Sequence, residues 1–379
     1  MSIDLGRFIF IDQHAHSILK GHMELDAIAF RQCLSESRSV SVLQDHLPAS
    51  VYYLDLVNQL CTLFGVSSEE GLLSYRLRQP EGEYLNRLWD DVSIGGLIID
   101  DGFRPREMLT LGRLSQLCGR PVFRCLRIES VLEEALSQAA SFNELAASFQ
   151  KQLVAGRPPG TVALKTIAAY RGGLELEMVT GDQARNDFDR AKNALKSEGV
   201  ARISRCPLYH YFLLEAFELA ASERLPVQLH TGIGDDDADL RECNPLCLRP
   251  VMRSSLFANT GFVLLHCYPY IREAAYLAAI YPNVYMDLSL AISLVSPLAE
   301  AMLIETLSAA PTTKILAGSD GHSMPETHWY GVICWKRALE KALSWLTDSG
   351  FLSEQQALDI AGRILHENAR KLYALEELA

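Results

Sequence analysis

Phe8-Ile9-Phe10-Ile11-Asp12-Gln13-His14-Ala15-His16 is an apolar run that closes on two histidines. On a strand, side chains two apart share a face, so His14 and His16 point the same way. Two imidazoles roughly 6 to 7 Å apart along an extended backbone can converge on one divalent ion. The plainer alternative is a pair of polar caps at a strand end. Seven further short apolar runs follow: Gly96–Ile99, Val122–Leu126, Val162–Ile167, Val227–Leu229, Phe262–Leu265, Val284–Met286 and Ile315–Ala317. Segments with helical apolar spacing lie between them, including 131–149, 186–195 and 272–280. Strands apolar on both faces and alternating with helices imply a parallel sheet covered by helices. Eight such units predict an α/β fold, a (β/α)8 TIM barrel.

The alternation breaks once, between Ser17 and Ile94. Leu25–Ser35 and Ser50–Leu63 carry apolar faces there, and Ser68-Glu69-Glu70 reads as a helix start. Residues 17–94 are therefore expected to form a helical insertion after strand 1, capping the C-terminal face of one barrel domain spanning 1–379. A separate domain is the alternative, but no Pro/Gly/Ser linkers flank the segment. From Thr327 onward the chain reads as a helical C-terminal extension, with Ser353-Glu354-Gln355-Gln356 as a start signal.

Composition narrows the function classes. The 379 residues are 49% hydrophobic and 22% charged, an ordinary globular mix. The formal charge of −12, with no basic run, argues against nucleic acid and anionic membrane as partners. No apolar stretch reaches the roughly 18 residues of a membrane span. Met1-Ser2-Ile3-Asp4-Leu5 has no leader character, so a cytoplasmic location is expected. Nine irregularly spaced cysteines read as thiols. The close pair Cys243 and Cys247 lacks the further ligands of a structural zinc site.

Five of the ten histidines fall at or just past the ends of these strand runs: His14, His16, His230, His266 and His322. Asp320 ends the last run and Lys165 the fourth. Barrel active sites are assembled on that rim. Each residue alone reads more simply as a satisfied rim group. Together, four imidazoles and a carboxylate have little structural reason to converge without a cation. Nitrogen and oxygen ligands suit zinc, and manganese or iron less specifically. A buried Lys165 is costly unless paired, for instance with Asp100 or Asp101, or chemically altered.

His14-x-His16, Lys165, His230, His266 and Asp320, in that order, resemble the amidohydrolase superfamily over nearly the whole chain. The strings around Ile99-Asp100-Asp101-Gly102, Lys165-Thr166-Ile167, His230-Thr231-Gly232 and Ser319-Asp320-Gly321-His322 are similar to its amidohydrolase-2-like branch. That branch includes the N-terminal domain of FluG and nodulin/glutamine-synthetase fusion proteins. The resemblance implies a metal-dependent hydrolase of carbon–nitrogen bonds, with one or two divalent ions. His14 and His16 would hold the first, His230 and His266 the second, and a carboxylated Lys165 would bridge both in a binuclear site. Asp320 would bind the first ion and shuttle the proton. His322 would stabilise an oxyanion or orient Asp320.

Arg127 and Arg171 end or follow strand runs, and a guanidinium binds carboxylates through paired hydrogen bonds, so a small acidic substrate is expected. An N-acyl or γ-glutamyl amide fits. Tyr170 and Tyr268 are candidate pocket residues, although packing is the commoner role. His328 and Trp329 are candidates to cover the site. A decarboxylase or isomerase built on the same ligands is the first rival, and a non-catalytic sensor or scaffold the second. Homo-oligomerisation stays open, with no sharp motif for it.

Overall fold

The computed structural model describes residues 3–197 and 203–375. Met1, Ser2 and the last residues of the extension, 376–379, lie outside the described residues. The β-branched runs form seven strands: β1 Phe10–Ala15, β2 Ile94–Asp100, β3 Val122–Arg127, β4 Thr161–Thr166, β5 Val227–His230, β6 Phe262–Leu265 and β7 Val284–Met286. They make one sheet in the order β1 to β7, in which β1 and β2, and each neighbouring pair from β3 to β7, run parallel. Helices separate the strands along the chain, so the parallel α/β class follows.

The eighth run differs from expectation. Ile315–Ala317 is not a strand of its own. It stays extended beside β1, where Gln13 N donates to Ala317 O at 3.2 Å. The link continues as Asp320 N to His14 O at 2.9 Å and His16 N to Gly321 O at 2.7 Å. These bonds are too irregular for a ladder, yet they satisfy the backbone and fix the loop that follows.

The chain divides into two compact units. The first comprises Met1–Phe123, Gly234–Asp237 and Asp287–Ala379, so it holds β1, β2, the insertion and the C-terminal helices. The second comprises Arg124–Ile233 and Ala238–Met286, with most of β3 and all of β4 to β7.

In the first unit the insertion is helical, as its apolar spacing requires. Its helices are Ala27–Gln32, Val51–Phe64, Glu69–Leu77 and Glu81–Asp91. Ser68 caps the third, its hydroxyl accepting from Gly71 N at 3.1 Å. The insertion docks on the long helix Pro325–Asp348 through polar groups. Arg76 Nε lies 2.5 Å from Glu326 Oε1, and Tyr84 donates to the same oxygen at 2.8 Å. Arg76 and Glu326 are both fully buried, so losing either would strand an uncompensated charge. The Ser353 box is also present, with Gln356 N to Ser353 Oγ at 3.3 Å and Ser353 N to Gln356 Oε1 at 2.8 Å.

In the second unit, the helical stretch read over 131–149 is two helices, Ile128–Gln138 and Phe142–Leu153. Ser141 starts the second by accepting from Glu144 N at 3.3 Å, a break that apolar spacing alone does not reveal. All nine cysteines are thiols. Among the described residues, no helix is long and apolar enough to cross a membrane.

Candidate functional site

The candidate residues divide between the two units. In the first, strand alternation does what the sequence implied for His14 and His16. Their rings lie 5.3 Å apart, centre to centre, at the end of β1. His14 Nε2 is 3.1 Å from Asp320 Oδ1, and His16 Nε2 is 3.4 Å from the same oxygen. His14 and Asp320 each offer a ligand atom to a compact His/Asp group able to hold a metal ion.

Tautomer logic tests the fit of a cation here. His16 Nδ1 sits 3.1 Å from the backbone carbonyl oxygen of Asp100. A carbonyl only accepts, so Nδ1 is the donor, which leaves Nε2 as the atom that faces Asp320 Oδ1 and can offer a lone pair to an ion placed there. A lone pair facing a carboxylate oxygen is repulsive unless a cation lies between them. The backbone contact to Nδ1 is also how metal-binding imidazoles are usually oriented. The donor set therefore fits a divalent ion.

Asp320 sits in a strained turn that a buried network holds in place. Its φ is 54°, in the left-handed region, and that of Ser323 is 64°. Asp12 accepts from Ser319 N at 2.8 Å and from the Ser319 hydroxyl, and that hydroxyl accepts from Gly321 N at 2.8 Å. Burial pushes the Asp12 carboxyl up to about 7, against the lowering effect of the Ser319 bonds. Gln13 donates to Asp287 and accepts from the Tyr373 hydroxyl, the latter at 2.6 Å. Trp335 Nε1 donates to Gly318 O at 2.7 Å. Gly331 lets the long helix approach closely, since a Cβ there would lie 2.9 Å from Ser319 Cα.

His322 donates its backbone N–H to Thr327 Oγ1 at 2.9 Å, and its Nδ1 lies 2.9 Å from Ser323 Oγ. Desolvation around the ring lowers its pKa to about 4. His328 and Trp329 do not form a cover. His328 Nε2 contacts His16 O at 2.9 Å, and the Trp329 indole donates to Asp91 Oδ2 at 2.9 Å. Both side chains are buried in packing of the long helix.

In the second unit, Lys165 on β4 is paired in register with Arg127 on β3 and Gln228 on β5. Register partners share a face, and Gln228 alternates with His230, so Arg127, Lys165 and His230 point to one side. Lys165 is 2% exposed. The His230 and His266 rings are 4.4 Å apart, and Tyr170 lies 4.4 Å from His230. His266 follows β6 with φ 67°, a turn that reorients its ring away from simple strand alternation. Arg171 Nη2 is 3.2 Å from Glu133 Oε1, so its guanidinium is already ion-paired. Tyr268 supplies its carbonyl to Ile233 N at 2.8 Å.

The residue that sequence reasoning missed here is Glu129. Fully buried, it accepts from Thr166 Oγ1 at 2.6 Å, Ile167 N at 3.0 Å and Tyr209 OH at 2.7 Å. It thereby fixes the backbone just past Lys165. A helix-borne glutamate carries no local mark of such a role. Asp12 did carry one, being a carboxylate inside an apolar strand.

A family model described as amidohydrolase matches residues 172–375, more than half of the chain. The chain belongs to the amidohydrolase family. Within reach of that family, it is 28% identical over 401 aligned positions to the protein fluG of Emericella nidulans. The match takes in 97% of this chain but 46% of fluG, so the chain spans about half the length of that curated relative. A crystal structure of a candidate metal-dependent hydrolase from Lactobacillus casei superposes with a TM-score of 0.90 at 28% identity, covering 100% of this chain and 99% of the other. Glucuronate isomerase from Caulobacter crescentus shares the fold, with a TM-score of 0.69 at 15% identity over 98% and 92% of the two chains. The amidohydrolase fold is thus common to proteins described as hydrolases and as isomerases.

Proposed function

We propose that this amidohydrolase-family chain is a metal-dependent hydrolase that cleaves an amide carbon–nitrogen bond in a small, carboxylate-bearing molecule such as an N-acyl or γ-glutamyl compound. The observation carrying it is the approach of two imidazole Nε2 atoms to Asp320 Oδ1, at 3.1 and 3.4 Å. The (β/α)8 reading, with the 17–94 insertion over the rim, supplies the frame. His14, His16, Lys165, His230, His266 and Asp320 would hold one or two divalent ions, zinc first and manganese or iron next. Carboxylation of Lys165, a buried side chain, would turn its ammonium into an anionic ligand whose charge the divalent ions would offset.

A bound divalent ion supplies Lewis acidity and lowers the pKa of water from 15.7 towards about 7. Asp320 accepts the proton of the attacking water and returns it to the departing amine. The left-handed turn at Asp320 and the Asp12–Ser319 clasp keep its carboxylate on the histidine pair. His322, held neutral by desolvation, donates a hydrogen bond to the developing oxyanion. Arg127, on the same face as Lys165, takes the substrate carboxylate, and Tyr170 and Tyr268 line its path.

The test is amine release from a panel of N-acyl and γ-glutamyl amides by metal-loaded protein, with product analysis for isomers and carbon dioxide. On a substrate so found, Asp320→Asn should lose roughly 10²- to 10⁴-fold in turnover. Near-normal turnover by that variant, or products without free amine, would overturn the reading.

A further inference from the structure

A small cavity inside the first unit adds a substrate feature that the metal ligands do not specify. Its volume is about 40 Å³, room for roughly three waters or a short polar group. Glu36 and Tyr52 of the insertion line one wall, and Ser293, Asp320 and His322 line others. No lysine or arginine is among the described residues that line it. The cavity thus joins the insertion to the carboxylate read above as the proton carrier.

Most of its polar atoms are already satisfied. Tyr52 OH donates to Leu34 O, Tyr330 OH to Asp55 Oδ2 at 2.9 Å, and Thr327 Oγ1 to His322 O at 2.8 Å. The Ser293 hydroxyl oxygen is buried and, among the described residues, has no hydrogen-bond partner. An orphaned buried hydroxyl costs desolvation energy that a bound donor or acceptor would recover. Glu36 has no basic neighbour on this wall. Its carboxyl lies among acidic groups, hydrogen-bonded with Asp235 and with Asp320 and Asp236 close by. A positive charge placed there would relieve that crowding.

We propose that this cavity receives a primary ammonium group of the substrate, with Glu36 and Ser293 as its acceptors, so that Glu36 determines specificity at the end where Asp320 acts. This deepens the amide-hydrolase reading and rests on it for the role of Asp320. The molecule would then carry an amine-bearing portion beside its scissile bond. A neutral hydroxyl of the same size would fill the space without neutralising the acids.

Ethylammonium chloride and ethanol, matched in size, are the probes, and ligand-observed NMR on the full metal-loaded chain reads their binding. Ethylammonium should bind and ethanol should not. Glu36→Gln should weaken ethylammonium binding by about tenfold or more, as for loss of a charged hydrogen bond, and Ser293→Ala should weaken it by a smaller factor. Unchanged melting temperatures would show that both variants fold. Equal binding of both probes, or a Glu36→Gln variant that binds ethylammonium as well as the parent, would overturn the proposal. Metal content measured on the same samples separates the two readings. Bound metal without ethylammonium binding removes only the ammonium site, whereas ethylammonium binding to a chain that takes up no metal removes only the metallohydrolase.

Discussion

Two buried carboxylates do parallel work in the two units, and they do it differently. Asp12 lies on β1, two residues before His14, and clasps a single residue, Ser319, from the far end of the chain. Glu129 lies on a helix and gathers three donors from two segments, Thr166 and Ile167 at the end of β4 and Tyr209 on the helix Pro207–Ser222. The first fixes the loop of a candidate ligand, Asp320. The second fixes the backbone next to another, Lys165. The Asp320 loop is thus held by one side-chain clasp added to its backbone bonds to β1, whereas Glu129 ties two separate segments together through a single carboxylate.

Removing each carboxylate tests that difference. Glu129→Ala orphans two buried donors and one part-buried amide at about 1–3 kcal/mol each, and should be the most destabilising change, read as a large fall in denaturation midpoint. Glu129→Gln keeps an acceptor oxygen and should recover most of the loss. If Glu129→Ala unfolds no more readily than the parent, the three-point anchor has been misjudged.

Asp12→Ala orphans the amide and hydroxyl of Ser319 and should cost less, about 2–6 kcal/mol from the same per-group penalty. Its larger consequence should be functional. With the clasp gone, the Asp320 loop can relax from its left-handed turn, and metal affinity should fall by about 10- to 100-fold, as for other residues that orient ligands. Isothermal titration with zinc reads this. An affinity equal to that of the parent would assign Asp12 to stability alone.

How much of this was legible in the sequence depends on distance along the chain. The shared face of His14 and His16 followed from strand period alone, because no turn intervenes. The helix starts at Ser68 and Ser353 were equally local. The turns at His266 and Asp320 were not, since Asp and His favour a positive φ only weakly and the surrounding fold decides where it is adopted. The eighth run was read as a strand, because its apolar residues could not show that loop bonds to β1 would replace a regular ladder. Arg171 looked available to a substrate until folding brought Glu133 beside it.

A smaller effect concerns acid stability of the metal-free protein. Asp12, raised to about 7 from 3.8, holds its proton in the folded state while the unfolded chain loses it. Its contribution is therefore full below pH 3.8 and is lost as pH rises through about 7. His328, lowered by burial to about 4 from 6.5, works in the opposite direction. Its contribution is lost as pH falls from 6.5 to about 4, where the unfolded chain takes up a proton first. The two slopes oppose each other between pH 6.5 and 4. Asp12→Asn removes one of them, so that variant should lose stability on acidification more steeply than the parent, by up to about 1.4 kcal/mol per pH unit. Parallel stability curves for the two proteins would remove Asp12 from this balance.

The most direct measurement is the metal content of the purified full chain beside that of a His14→Ala/His16→Ala double variant, by elemental analysis after dialysis. A stoichiometric divalent ion in the parent, with loss of the ion held by the first unit in the variant, is the predicted result. A parent that holds no divalent ion under metal-replete conditions, or a variant that retains the full complement, would contradict a metal centre built on the end of β1.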